Sequence, residues 1–253
     1  MNELTKRVLV AAIGIPFALF IIVTGGFPFF ITISVVSLLS LLEFYSLAEK
    51  KGFAPHNING AIFGIIIQSV FFIQFSRISN LSPFMSAILI YLIFVMITLI
   101  CEMYSKNPNK IANAAVTILG MSYISIFFIT FYILREFNYF LYLFDTHAKS
   151  YAFGRDFTLL SMLLKIPPDR WAYLIITLLG SIWVCDSAAY FIGKAIGKHK
   201  LFERISPKKT IEGAIAGFVF AILSFIGLGK LFLPEIPVVH FIAGGAIVGV
   251  LGQ

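Results

Sequence analysis

Charge is scarce in this chain. Only 12% of its 253 residues are Asp, Glu, Lys or Arg, while 59% belong to the hydrophobic set. A soluble domain is about a quarter charged and a little under half apolar. The shortage excludes an ordinary water-soluble globule and, more firmly, a disordered chain. Cysteine is scarcer still. Cys101 and Cys185 each sit within or at the end of an apolar run; they are too few for a zinc site and lack the context of a disulfide. No long basic stripe lies outside the apolar segments, which argues against nucleic acid as a partner. No A-x-A pattern follows the run from Val8 to Val23, so Lys6-Arg7 and that run read as a first span, not a removable signal. Fixed-period repeats and low-complexity tracts are also missing.

What is present is apolar length. A transmembrane helix takes ~20 mostly apolar residues, and the runs predict spans near 8–24, 27–47, 58–76, 83–103, 111–134, 171–193, 213–233 and 237–251. Gly25-Gly26, Lys50-Lys51-Gly52 with Pro55, Ser82-Pro83, and Lys106 to Lys110 around Pro108 mark breaks. The expected fold is all-α: a polytopic transmembrane helical bundle of about eight spans. It is read as one membrane-embedded domain over 1–253, with N-terminal spans in 1–135, an interfacial or outer loop in 136–170, and motif-bearing spans in 171–253.

The net charge is +7, from 19 Lys and Arg against 12 Asp and Glu. With the N-terminus in the cytoplasm, the loops at 48–57, 104–110 and 194–212 share that side, which then holds twelve of the 19 basic residues. The positive-inside rule favours that orientation. The stretch 135–170 mixes apolar clusters with Arg135, Asp145, Arg155, Asp156 and Lys165, as an interfacial hairpin or amphipathic helix does.

Ionisable groups inside spans are costly and point to function. Glu43 and Glu102 lie near span ends, where snorkelling to the interface accounts for them. Asp186 sits about seven residues from the end of its span, on the order of 10 Å deep at ~1.5 Å per residue. Tyr190, Gly193 and Gly197 follow it on one helix face. Gly193 and Gly197 form a small-x-x-x-small pair suited to close helix packing. The string through Gly197-Lys198-His199 is no P-loop, since three residues separate its glycines and His199 follows Lys198. Next comes Ile205-Ser206-Pro207-Lys208-Lys209-Thr210-Ile211-Glu212-Gly213, within a segment (194–212) that carries a net +4. A Ser-Pro start with a later Glu reads as a helix N-terminus, a natural seat for anions. Carboxylates at Asp186 and Glu212 beside such a cationic cradle suit a Mg²⁺–polyphosphate.

Trp183-x-x-Asp186-Ser187-x-Ala189-Tyr190-x-x-Gly193-x-x-x-Gly197-Lys198-His199-Lys200-Leu201, followed by Ile205 to Thr210 and Glu212-Gly213, resembles the phosphatidate cytidylyltransferases (CDP-diacylglycerol synthases). Weaker likenesses are Lys6-Arg7, Glu43-Phe44-Tyr45 and Gly120-x-x-Tyr123. The resemblance implies an enzyme that makes CDP-diacylglycerol and pyrophosphate from CTP and phosphatidate with Mg²⁺. It implies an integral protein of a bacterial inner membrane, working at the cytoplasmic face, with a homodimer as one assembly. On that reading Lys208 and Lys209 hold CTP phosphates, with Ser206 and Thr210 hydrogen-bonding them. Asp186 and Glu212 place the metal, and Lys198 and Lys200, with Tyr190, serve phosphatidate or the leaving pyrophosphate. The family's acidic C-terminal signature is expected after Gly252-Gln253, with a ninth span. Residues 1–253 alone are therefore expected to turn over little or nothing. Two other readings stand beside this one: a CTP-dependent polyprenol or lipid kinase, and a transporter using Asp186 for coupling.

Overall fold

A computed structural model describes residues 3–75, 83–137, 170–202 and 206–252. The expected interfacial segment 136–170 lies outside them, apart from Glu136, Phe137 and Arg170. Eight helices among the described residues stand where the apolar runs were expected. They are α1 (Glu3–Thr24), α2 (Gly26–Glu49), α3 (Asn57–Phe75), α4 (Pro83–Tyr104), α5 (Lys110–Arg135), α6 (Trp171–Ile196), α7 (Ile211–Phe232) and α8 (Val238–Leu251). Five of them, α2, α4, α5, α6 and α7, are long and apolar enough to cross a membrane, and α1, α3 and α8 carry shorter apolar stretches. The protein is an all-α polytopic membrane protein.

The described residues form two compact units: α2 to α5, and α1 up to Val23 with α6 to α8. In the first, α2 buries Phe29, Ile33, Ser37, Leu41 and Tyr45 along one face, while Val35, Val36 and Leu39 on the other side are exposed. An apolar exterior is what lipid solvates. The interior carries the polar groups. Gln68 donates to Ser37 Oγ at 2.7 Å, and Tyr45 Oη donates to the Thr117 carbonyl at 2.8 Å. At the other end of the helices, Phe30 stacks on Phe72 with centroids 4.4 Å apart. Gly25 and Gly26, at φ 63° and 55°, make the turn into α2, a left-handed pair that residues with a Cβ adopt poorly.

Glu102 departs from expectation. It does not snorkel: it is 3% exposed, with His56 Nε2 at 2.5 Å and Asn113 Nδ2 donating at 3.0 Å. Asn113 Oδ1 also accepts from the Ala54 main chain, and Thr117 Oγ1 from that of His56. A buried carboxylate needs partners more than it needs water, and the loop before α3 delivers His56 while α5 supplies Asn113. Glu43 is exposed.

In the second unit, α7 buries Gly213, Gly217, Ala221, Phe225 and Gly229, one position every fourth residue. Small side chains on such a stripe let backbones approach where lipid offers helices no hydrophobic drive to associate. A Cβ on Gly245 of α8 would lie 2.6 Å from Ile222 Cα, so α7 and α8 meet backbone to backbone. Tyr173 stacks on Phe232 (5.5 Å, 8°), and Arg170 pairs with Glu235 at 3.0 Å.

Between α6 and α7 the structure differs from the expected helix start at Ser206. Residues Lys200–Phe202 (β1) and Ser206–Thr210 (β2) form an antiparallel hairpin in which Lys200 pairs with Thr210 and Phe202 with Ser206. Pro207 biases Ser206 toward extended backbone. The helix begins one residue after Thr210, an extended N-cap (φ −118°, ψ 153°) whose side chain accepts from Gly213 N at 3.2 Å.

Candidate functional site

The last three turns of α6 and the hairpin enclose a cleft of about 450 Å³. Steps of four place Asp186, Tyr190 and Lys194 on one helix face, and all three line the cleft. Lys200 enters from β1, and Lys208, Lys209 and Thr210 from β2. Among the described lining residues, one carboxylate, that of Asp186, shares the cleft with four lysines, Lys194, Lys200, Lys208 and Lys209. Asp186 is exposed, and no described residue pairs with it.

Three glycines make this geometry possible. A Cβ on Gly193 would come 2.8 Å from Thr210 Oγ1, and one on Gly213 would come 2.7 Å from the Ala189 carbonyl. Gly197, at φ −65° and ψ 119°, ends α6 and turns the chain toward β1. The small-residue pair expected at Gly193 and Gly197 therefore packs against Thr210, the cap of the next helix.

The hairpin is pinned at its root. Ile211 N donates to the His199 carbonyl at 2.9 Å, and Lys200 Nζ to the Pro207 carbonyl at 2.8 Å. Glu212 accepts from the His199 main-chain N–H at 3.2 and 3.3 Å and has His199 Nδ1 at 2.6 Å.

Of the residues singled out in the sequence, Asp186, Tyr190, Lys200, Lys208, Lys209 and Thr210 come together in the cleft; Lys198, Ser206 and Glu212 are not among its lining residues. Lys194 was missed. Its spacing, eight residues beyond Asp186 and four beyond Tyr190, was the available signal. His199 was missed as well, since its partner lies thirteen residues away. Among the described residues no three His, Cys, Asp or Glu side chains gather as a metal cluster.

Four lysines and one carboxylate among the described lining residues, held at the ends of two membrane-spanning helices, suit phosphate-bearing substrates. Proteins of similar sequence identify the chain as a polytopic membrane enzyme of nucleotidyl transfer. The chain belongs to the cytidylyltransferase family, whose model matches residues 5–253. It is 49% identical over 63 residues to a phosphatidate cytidylyltransferase of Aquifex aeolicus, covering 25% of this chain and 24% of that protein. The Bacillus subtilis phosphatidate cytidylyltransferase is 24% identical over 256 residues, spanning 100% of this chain and 81% of that one. The Staphylococcus aureus (strain COL) phosphatidate cytidylyltransferase is 27% identical over 219 residues, 86% and 68% of the two chains. No solved structure matches.

Proposed function

We propose that the protein transfers the cytidylyl group of CTP to phosphatidate, releasing pyrophosphate and leaving CDP-diacylglycerol in the membrane. The observation that carries this reading is the meeting of Asp186 with Lys194, Lys200, Lys208 and Lys209 in one cleft. The lipid's phosphate monoester is already anionic near neutral pH, because its second pKa is about 6. It needs no strong protein base. One of its oxygens attacks the α-phosphorus of CTP, and the bond from that phosphorus to the bridging oxygen breaks. The electron pair leaves with pyrophosphate. What the protein supplies is in-line placement and cancellation of phosphate charge.

Lys208 and Lys209 hold the nucleotide phosphates, and Thr210 caps α7 so that β2 presents both lysines. Lys200, tethered to the Pro207 carbonyl, steadies the hairpin and faces the departing pyrophosphate. Ser206, paired with Phe202 at the far end of the ladder, and Lys198 serve the approach of anions from outside the cleft. One carboxylate with phosphate oxygens is an ordinary donor set for Mg²⁺, and Asp186 fits it. Bound there, the ion neutralises phosphate charge. Glu212 is engaged by His199, which supports a positioning role for it. The basic loops support a cytoplasm-facing site in a bacterial inner membrane.

CTP labelled at either phosphate tests the reading. Label from the α-phosphate should enter the lipid fraction. Transfer of γ-label would mark a lipid kinase instead, and labelling from neither position would favour a transporter.

A further inference from the structure

A cytidylyl transfer of this kind joins a water-soluble polyanion to an amphiphile. The lipid's phosphate is confined to the level where acyl chains meet water, whereas the nucleotide arrives from solution. The cations of the cleft divide along the same line. Lys208 and Lys209 stand on β2, outside the spans, whereas Lys194 is the basic residue of the last turn of α6. Its ammonium lies 5.9 Å from the centroid of the Tyr190 ring. Tyr190 is 62% exposed, and its neighbours Phe191 and Ile196 are 67% and 61% exposed, giving this end of the spanning helix an apolar outer surface. A lysine whose stem follows such a surface carries its charge to the headgroup level, and a tyrosine beside it prefers the same depth.

We infer that Lys194, steadied by the Tyr190 ring, binds the phosphate monoester of the lipid substrate, leaving the hairpin lysines to the nucleotide. This rests on the function proposed above and gives to Lys194, which lines the cleft, the lipid-phosphate contact expected at Lys198 or Lys200, of which Lys198 does not line it. A cation in the last turn also complements the helix dipole, and any exposed lysine attracts anionic lipid. Neither of those roles calls for a place in the lining of the cleft that Asp186 also lines.

The test compares Lys194→Gln and Lys208→Gln in the full-length protein, titrating CTP, short-chain phosphatidate and short-chain phosphatidylglycerol separately by calorimetry in detergent micelles. A charge-assisted hydrogen bond to phosphate corresponds to about a tenfold or greater loss of affinity. Lys194→Gln should lose that much for phosphatidate, keep its CTP affinity, and bind phosphatidylglycerol as the parent does. Lys208→Gln should do the reverse for phosphatidate and CTP. Lys194→Arg should restore phosphatidate binding. If Lys194→Gln melts early, Lys194→Met, which keeps the apolar stem, replaces it. Unchanged phosphatidate affinity, a primary loss of CTP, or an equal loss for phosphatidylglycerol would overturn the inference. Failure of the parent protein to transfer α-label counts instead against the proposed function.

Discussion

Glu212 holds His199 at two points: a carboxylate oxygen lies 2.6 Å from the ring Nδ1, and both oxygens accept from its main-chain N–H at 3.2 and 3.3 Å. The pair closes the root of the hairpin that carries Lys208 and Lys209. Glu212→Ala should therefore weaken CTP binding several-fold without moving the Mg²⁺ concentration that half-saturates the effect. Glu212→Gln, which keeps an acceptor for the His199 N–H, should lose less. Titrating Mg²⁺ at fixed CTP checks this, and a displaced Mg²⁺ midpoint in Glu212→Gln would return the residue to the metal.

Asp186 is the only carboxylate among the described residues that line the cleft. Asp186→Asn should abolish the enhancement of CTP binding by Mg²⁺ and leave metal-free binding intact or tighter, because a negative charge has left the phosphate site. Calorimetric CTP titrations with Mg²⁺ and with a chelator separate the two. A full Mg²⁺ response in the variant would rule out the assignment.

Lys208→Ala and Lys209→Ala should each lower CTP affinity by about tenfold, as expected for a lost charged hydrogen bond. The loss should shrink as salt screens the remaining attraction. A CTP dissociation constant equal to the parent's would sink the phosphate assignment.

Gly193→Ala and Gly213→Ala should each destabilise the protein by about 1–3 kcal/mol, as overpacking does. A methyl at either position meets Thr210 Oγ1 or the Ala189 carbonyl, at 2.8 and 2.7 Å. Gly227, also in α7, has nothing within 4 Å of an added Cβ. Gly227→Ala should be neutral or slightly stabilising, since alanine is the better helix former. Thermal melts of the three variants in one detergent give the comparison.

Glu102→Ala takes the carboxylate partner from the His56 ring and one of two acceptors from Asn113 Nδ2, which keeps the Pro108 carbonyl at 3.0 Å. Unsatisfied buried groups cost about 1–3 kcal/mol, so the melting temperature should fall, and Glu102→Gln should recover part of the loss. An unchanged melt for Glu102→Ala would mean that water replaces the carboxylate at no cost.

Much of the fold was legible because its cause is local. In hydrocarbon every backbone polar group must be satisfied within the segment, so an apolar run of spanning length is already a helix. The five long helices follow from that rule, and the shorter apolar runs of α1, α3 and α8 are helical too, with breaks at Gly25-Gly26 and Pro108. The reach from Asp186 through Tyr190 to Gly197 was legible for a similar reason, because helical periodicity alone puts those residues on one face.

Tertiary structure decided the rest, where the outcome depends on residues distant in sequence. Glu102 and His56 are 46 positions apart; nothing near Glu102 announces that a loop will bring it a partner and allow its burial. Ser206 to Thr210 became a strand because β1 lay alongside to pair with it. Glu212 was drawn to His199, and Lys194 rather than Lys198 lines the cleft, because α6 ends at Gly197 and the chain turns there. Composition placed the protein in a bilayer and its motif pointed to phosphate chemistry. Which ammonium and carboxylate groups meet was left to the packing of α6 against α7, since only contact between distant segments selects among charges that the sequence presents as equals.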